Sequence, residues 1–105
     1  MKLLVIYRSD EEYSRSVEAF IHDFERNHEG LGRRMEILDA TSRDGSAMMS
    51  IYDIFEHPAI LVLQDNGQVI HQWVGKNLPL MDEVAAYFYT SQTWSFYYEQ
   101  QWSHD

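Results

Sequence analysis

Five histidines, His22, His28, His57, His71 and His104, are the side chains here best suited to exchange a proton near neutral pH. None stands at a metal-ligand spacing from another, and no cysteine is present to supply a thiolate ligand. The lack of cysteine also removes disulfide frameworks and every thiol reaction from this chain. Gly30-Leu31-Gly32 lacks the remainder of any phosphate-binding loop. Neither a metal nor a cofactor is therefore expected. His57 has the most distinctive setting, directly before Pro58 and the apolar run Ala59-Ile60-Leu61-Val62-Leu63. A second polar cluster, Ser9-Asp10-Glu11-Glu12, reads as a helix start, with Ser9 and Glu12 spaced as a capping box.

The elements that must position these residues follow from periodicity. Leu3 to Tyr7 is a continuous apolar run, the pattern of a strand buried on both faces. Tyr13, Val17, Phe20, Ile21 and Phe24 form one helical stripe, which predicts a helix from Ser9 to about Asn27, stopped by Gly30 and Gly32. Arg34 to Ala40 reads as a second strand. A second helix is predicted from Ser46 to Ile54, with Ala47, Met48, Ile51 and Tyr52 inward, ending before Pro58. Ala59 to Leu63 is a third strand. Asp65-Asn66-Gly67 signals a hairpin into a return strand from Gln68 to Val74. Asn77 is placed to cap a third helix with Pro79 in its first turn; Asp82 and Glu83 suit its positive end, and Leu78, Met81, Val84, Ala85 and Phe88 face the core. The order is β-α-β-α-β-β-α.

Composition narrows the function classes. At 105 residues the chain reads as one domain, residues 1–89, with an aromatic extension over residues 90–105. Seventeen acids against eight bases give a formal net charge of -9, which disfavours nucleic acid and anionic membranes as partners. Leu3 to Ile6 is too short for a signal-peptide core, and no stretch approaches the ~18 apolar residues of a membrane helix. A cytoplasmic protein is expected.

The element order, with a proline heading the third strand, resembles the thioredoxin-like superfamily, and its compact glutaredoxin-like members most of all. The resemblance spans about Met1 to Tyr89. It rests on Leu3-Leu4-Val5-Ile6-Tyr7, on Tyr52-Asp53-Ile54 before His57-Pro58, on Ile60-Leu61-Val62-Leu63, on Asp65-Asn66-Gly67, and on Trp73-Val74-Gly75. It implies an α/β fold with a four-stranded mixed sheet and a cis peptide bond before Pro58. It also places Glu11-Glu12-Tyr13-Ser14 where the family carries Cys-x-x-Cys. Glu11 and Ser14 replace the two sulfurs, so the thiolate attack on which the family's chemistry depends is excluded on chemical grounds.

Two parts of the family's groove survive that loss. One is the backbone of His57, which in relatives pairs with an extended peptide. The other is the first helix N-terminus, here filled by Asp10, Glu11 and Glu12, which would repel an anion and suit a neutral or basic peptide. Within such a groove Ser14, His57 and Glu11 invite a hydrolase reading, although no oxyanion-hole motif accompanies them. Residues 91–105 add Trp94, Tyr98 and Trp102 at four-residue spacing, one stripe of a helix. That stripe suits packing on the domain, a partner, or a second copy in a homodimer. The leading expectation is a redox-inactive module binding a protein or peptide through Glu11, Tyr13, Ser14, His57, Pro58 and the aromatic extension. The alternatives are a small non-redox enzyme using His57 and Glu11 as acid and base, and a structural self-associating protein.

Overall fold

In the computed structural model, residues 1–28, 30 and 34–88 are described. Strand β1 (Lys2–Tyr7) leads into helix α1 (Ser14–Asn27), strand β2 (Met35–Asp39) and helix α2 (Arg43–Ile51). Strands β3 (Ala59–Leu63) and β4 (Val69–Val74) follow, and residues 81–88 form helix α3. The sheet order is β2-β1-β3-β4. β1 pairs parallel with β2 and antiparallel with β3, and β3 pairs antiparallel with β4.

The uninterrupted apolar runs are explained by where β1 and β3 lie. They occupy the two central positions, and each alternates between two cores. Leu3, Val5, Ile60 and Val62 point to one face, where Val17, Phe20, Ile21 and Phe24 of α1 and Val84, Ala85 and Phe88 of α3 cover them. Leu4, Ile6, Ala59, Leu61 and Leu63 point to the other, with Ala40, Ile54, Met48, Met49 and Tyr52. Side-chain alternation along a strand requires this division when both faces are covered.

The strands match the sequence expectation closely; the helix starts do not. α1 begins at Ser14, not near Ser9, with Tyr13 at the N-cap position and no side-chain cap. The Ser9–Glu12 capping box is not formed, because residues 8–13 make a turn in which the Glu11 N–H donates to the Arg8 carbonyl at 3.4 Å. α2 starts three residues earlier than Ser46. Ser42 is its cap, its hydroxyl accepting the Gly45 N–H at 3.0 Å. That shift turns Ala47 and Ile51 outward and leaves Met48, Met49 and Tyr52 to pack inward. Gly45 presses against the end of β2 so closely that a Cβ there would sit 1.9 Å from the Asp39 carbonyl oxygen. α3 begins after Leu80, whose carbonyl accepts the Glu83 and Val84 N–H groups, so Asn77 and Pro79 precede it. In the hairpin, Gly67 alone takes positive φ, at 90°, and the Asn66 side chain accepts the Gln68 N–H.

Among the described residues no helix is long and apolar enough to cross a membrane.

Candidate functional site

Antiparallel pairing brings the C-terminal end of β1 beside the N-terminal end of β3, with Ile6 opposite Ala59. The chain leaves β1 at Tyr7, turns through residues 8–13, and re-enters at α1. The turn therefore lies against His57 and Pro58. From the other side the Gly75 N–H donates to the Pro58 carbonyl at 2.9 Å, tying the end of β4 to the same spot. The His57–Pro58 peptide bond is cis, and Pro58 is buried.

Tyr13 organises the cluster. Its hydroxyl accepts the Arg8 backbone N–H at 3.0 Å and lies 2.5 Å from His57 Nδ1. A phenol that accepts one hydrogen bond still has its own proton to share, so the Tyr13 hydroxyl links the Arg8 backbone to the His57 ring. Burial pushes the Tyr13 phenol above its ordinary pKa, opposed by the Arg8 N–H, so the hydroxyl stays protonated. The tyrosine and imidazole rings are tilted at 59° with centroids 5.8 Å apart.

Two of the carboxylates, Asp10 and Glu11, are engaged elsewhere. The Arg8 guanidinium grips Asp10 with two bonds, Nε to Oδ1 at 3.0 Å and Nη2 to Oδ2 at 2.7 Å. This side-chain hydrogen bond holds the Asp10 carboxyl below the ordinary carboxylate range. Glu11 pairs with the same guanidinium at 3.7 Å. No acid occupies the first turn of α1, so the expectation that Asp10, Glu11 and Glu12 fill its N-terminus does not hold.

The structure thus joins His57 to Tyr13, not to Glu11 or Ser14. Ser14 is the first helical residue and only 7% exposed, its N–H donating to the Glu11 carbonyl. A Ser14–His57–Glu11 triad is not assembled. Trp94, Tyr98 and Trp102 lie outside the described residues. Arg8 and Gly75 are the members of the cluster that residue chemistry did not single out. Gly75, and Arg8 in its bond to Tyr13, contribute through backbone N–H groups, which leave no side-chain signal.

Two further features surround His57. Among the described residues neither its backbone N–H nor its carbonyl is hydrogen-bonded. Phe55, two positions earlier, is 88% exposed. Among the described residues no three His, Asp or Glu side chains converge as a metal ion would require. A shallow depression lined by Met1, Lys2, Arg34, Met35, Glu36 and Asp65 lies at the opposite end of β1.

The architecture can be set beside solved structures. Thioredoxin 1 from Thermosipho africanus TCF52B superposes with a TM-score of 0.66 at 14% identity, over 88% of this chain and 99% of that one. The germline-specific thioredoxin Deadhead from Drosophila melanogaster superposes with a TM-score of 0.58 at 11% identity, over 84% of this chain and 77% of that one. No family model matches the sequence, and no curated protein matches it. The fold is thioredoxin-like. The chain has that fold without a cysteine.

Proposed function

We propose that this chain is a redox-inactive binding module that takes an extended, neutral or basic segment of a partner protein beside His57 and Pro58. One observation carries the reading: the backbone N–H and carbonyl of His57, which have no hydrogen-bond partner among the described residues, stand next to an exposed Phe55. Unpaired main-chain groups at the head of a strand suit an added strand, which gains affinity from the backbone and selectivity from flanking side chains. Phe55 offers the apolar contact that such an interface centres on. The charges nearby set the partner's sign. Arg8 is committed to Asp10 and Glu11, while Glu12 and Glu56 are exposed, so an acidic segment would be repelled.

The test is selection from a displayed peptide library on the folded full chain, followed by amide chemical-shift mapping of the recovered peptides. Ligands enriched in Lys or Arg, shifting residues 55–58 and 74–75, are expected. Phe55→Ala should weaken them about tenfold, while His57→Ala, which keeps the backbone, should bind nearly as well. Recovery of no ligand, or of ligands whose shifts avoid residues 55–58, overturns the reading.

A further inference from the structure

We propose that the depression at the start of β1 binds a small carboxylic acid with a short apolar stem, its carboxylate anchored by the Arg34 guanidinium. The depression lies at the opposite end of β1 from His57, and the inference does not rest on the reading given for that site.

Strand pairing builds the hollow. Leu3 stands beside Met35 in the parallel pair, and Lys2 stands opposite Leu63 in the antiparallel pair. The start of β1 therefore lies between the start of β2 and the end of β3. The Leu3 N–H donates to the Arg34 carbonyl at 2.8 Å, which fixes the Arg34 backbone at the rim. Side chains alternate along each strand. Met1 and Met35 accordingly pack against the core that holds Leu3 and Val5, while Lys2 and Glu36 meet on the other face. The depression encloses about 410 Å³ and is lined by these residues, Arg34 and Asp65. A second hollow, of about 460 Å³, shares Met1 and Asp65 with it and reaches Gln64 and Asn66. Both volumes fall in the roughly 300–1,000 Å³ range of small-ligand sites.

Charge selects the ligand. Two of the three cations at the rim are neutralised by acids. The Met1 ammonium stands 2.6 Å from Asp65 Oδ1, and Lys2 Nζ stands 2.5 Å from Glu36 Oε2. The hydrogen bond and charge of the Met1 ammonium, with the Arg34 charge adding at longer range, hold the Asp65 carboxyl below its ordinary range. Arg34 is exposed, and among the described residues no acid lies within ion-pair distance of its guanidinium. Three cations against two carboxylates leave a single positive charge here, in a molecule whose formal net charge is -9. One negative charge balances it, whereas a doubly charged phosphate would overshoot beside Glu36 and Asp65. The guanidinium offers parallel N–H donors that match the two oxygens of a carboxylate. Met1 and Met35 line the same hollow with flexible apolar side chains, which suit an alkyl stem.

The test is amide NMR on the folded full chain, titrated with sodium hexanoate at neutral pH and constant ionic strength. Saturable shifts of Lys2, Arg34, Met35, Glu36 and Asp65 are expected, with a dissociation constant of about 1–10 mM, as suits a ligand of so few atoms. Hexanol, which lacks the charge, should leave these amides unmoved. Inorganic phosphate, which lacks the stem, should bind about tenfold more weakly than hexanoate. Arg34→Gln should weaken hexanoate about tenfold, the loss expected for a charge-assisted pair of hydrogen bonds. Arg34→Lys keeps the charge and loses the fork, and should weaken it about threefold. With two variants, a folding failure of one leaves the other to decide. Shifts that grow linearly with hexanoate and never saturate overturn the proposal. Undiminished affinity in a folded Arg34 variant, equal shifts with hexanol, or phosphate binding as tight as hexanoate overturns it too.

Discussion

At the scale of single residues, the Tyr13 hydroxyl is the most consequential polar atom in the site. It accepts from the Arg8 backbone and bonds the His57 ring, and so holds the turn over residues 8–13 against the head of β3. Tyr13→Phe keeps the ring and removes both bonds, leaving one backbone donor and one imidazole nitrogen to find water. A loss of about 1 kcal/mol is expected, read as a lower urea midpoint at unchanged slope. No change in midpoint would mean that water replaces both bonds at no cost. Asp39 offers a second test. Its carboxylate accepts the Thr41 hydroxyl at 2.7 Å and the Thr41 N–H at 2.8 Å, and these bonds hold its carboxyl below the ordinary range. A folded pKa below the unfolded value contributes stability that is complete above about pH 4 and is lost as pH falls through the folded value. Thr41→Val deletes the hydroxyl bond and should move the Asp39 midpoint upward in a carboxyl-carbon NMR titration. An unmoved midpoint would assign the depression to the backbone N–H alone.

At the scale of elements, the contact between α2 and β2 is the most sharply constrained. Gly45 has no room for a methyl group, because the obstacle is the Asp39 carbonyl, part of the main chain. Gly45→Ala should therefore destabilise by about 1–3 kcal/mol despite the better helix propensity of alanine, and thermal melting would show it. A neutral or stabilising result would mean that α2 can slide off β2 without loss. This contact also explains which parts of the fold were legible in the sequence. β3 was readable to the residue and β1 to within one, because two-faced burial demands unbroken apolar runs. The helix starts were not, because capping residues are plentiful: Ser9, Ser42, Ser46 and Asn77 all qualify by type. Packing chose among them. Gly45 against Asp39 sets α2 at Ser42, and the Arg8 turn delays α1 to Ser14. Propensity alone carries no such information.

At the scale of the whole molecule, the site is assembled from segments far apart in the chain, and that decides how much of it could be foreseen. Tyr13 and His57 stand 44 residues apart and meet because β1 and β3 are antiparallel neighbours. Their proximity was readable only through the likeness of the element order to the thioredoxin-like fold, whereas the capture of Glu11 by Arg8 depends on the local turn. Charge is also a property of the whole. With seventeen acids and eight bases, long-range repulsion opposes compaction, while among the described residues the ion pairs of the lysine, arginine and N-terminal groups lie at the surface: Lys2–Glu36, Arg8–Asp10, Arg8–Glu11 and Met1–Asp65. Salt weakens both, yet unequally. The screening length falls from about 30 Å at 0.01 M to about 8 Å at 0.15 M, which removes repulsion across the molecule and leaves contacts within about 4 Å less affected. Raising NaCl over that range should therefore raise the melting temperature, and a gain of about 1 kcal/mol would correspond to roughly 4–8 °C for a domain of this size. The check is calorimetry at fixed pH 7 across the salt series. A fall in melting temperature would mean that the Arg8 and Lys2 pairs outweigh the global repulsion. Arg8→Gln, which releases Asp10 and Glu11, would then remove the salt dependence.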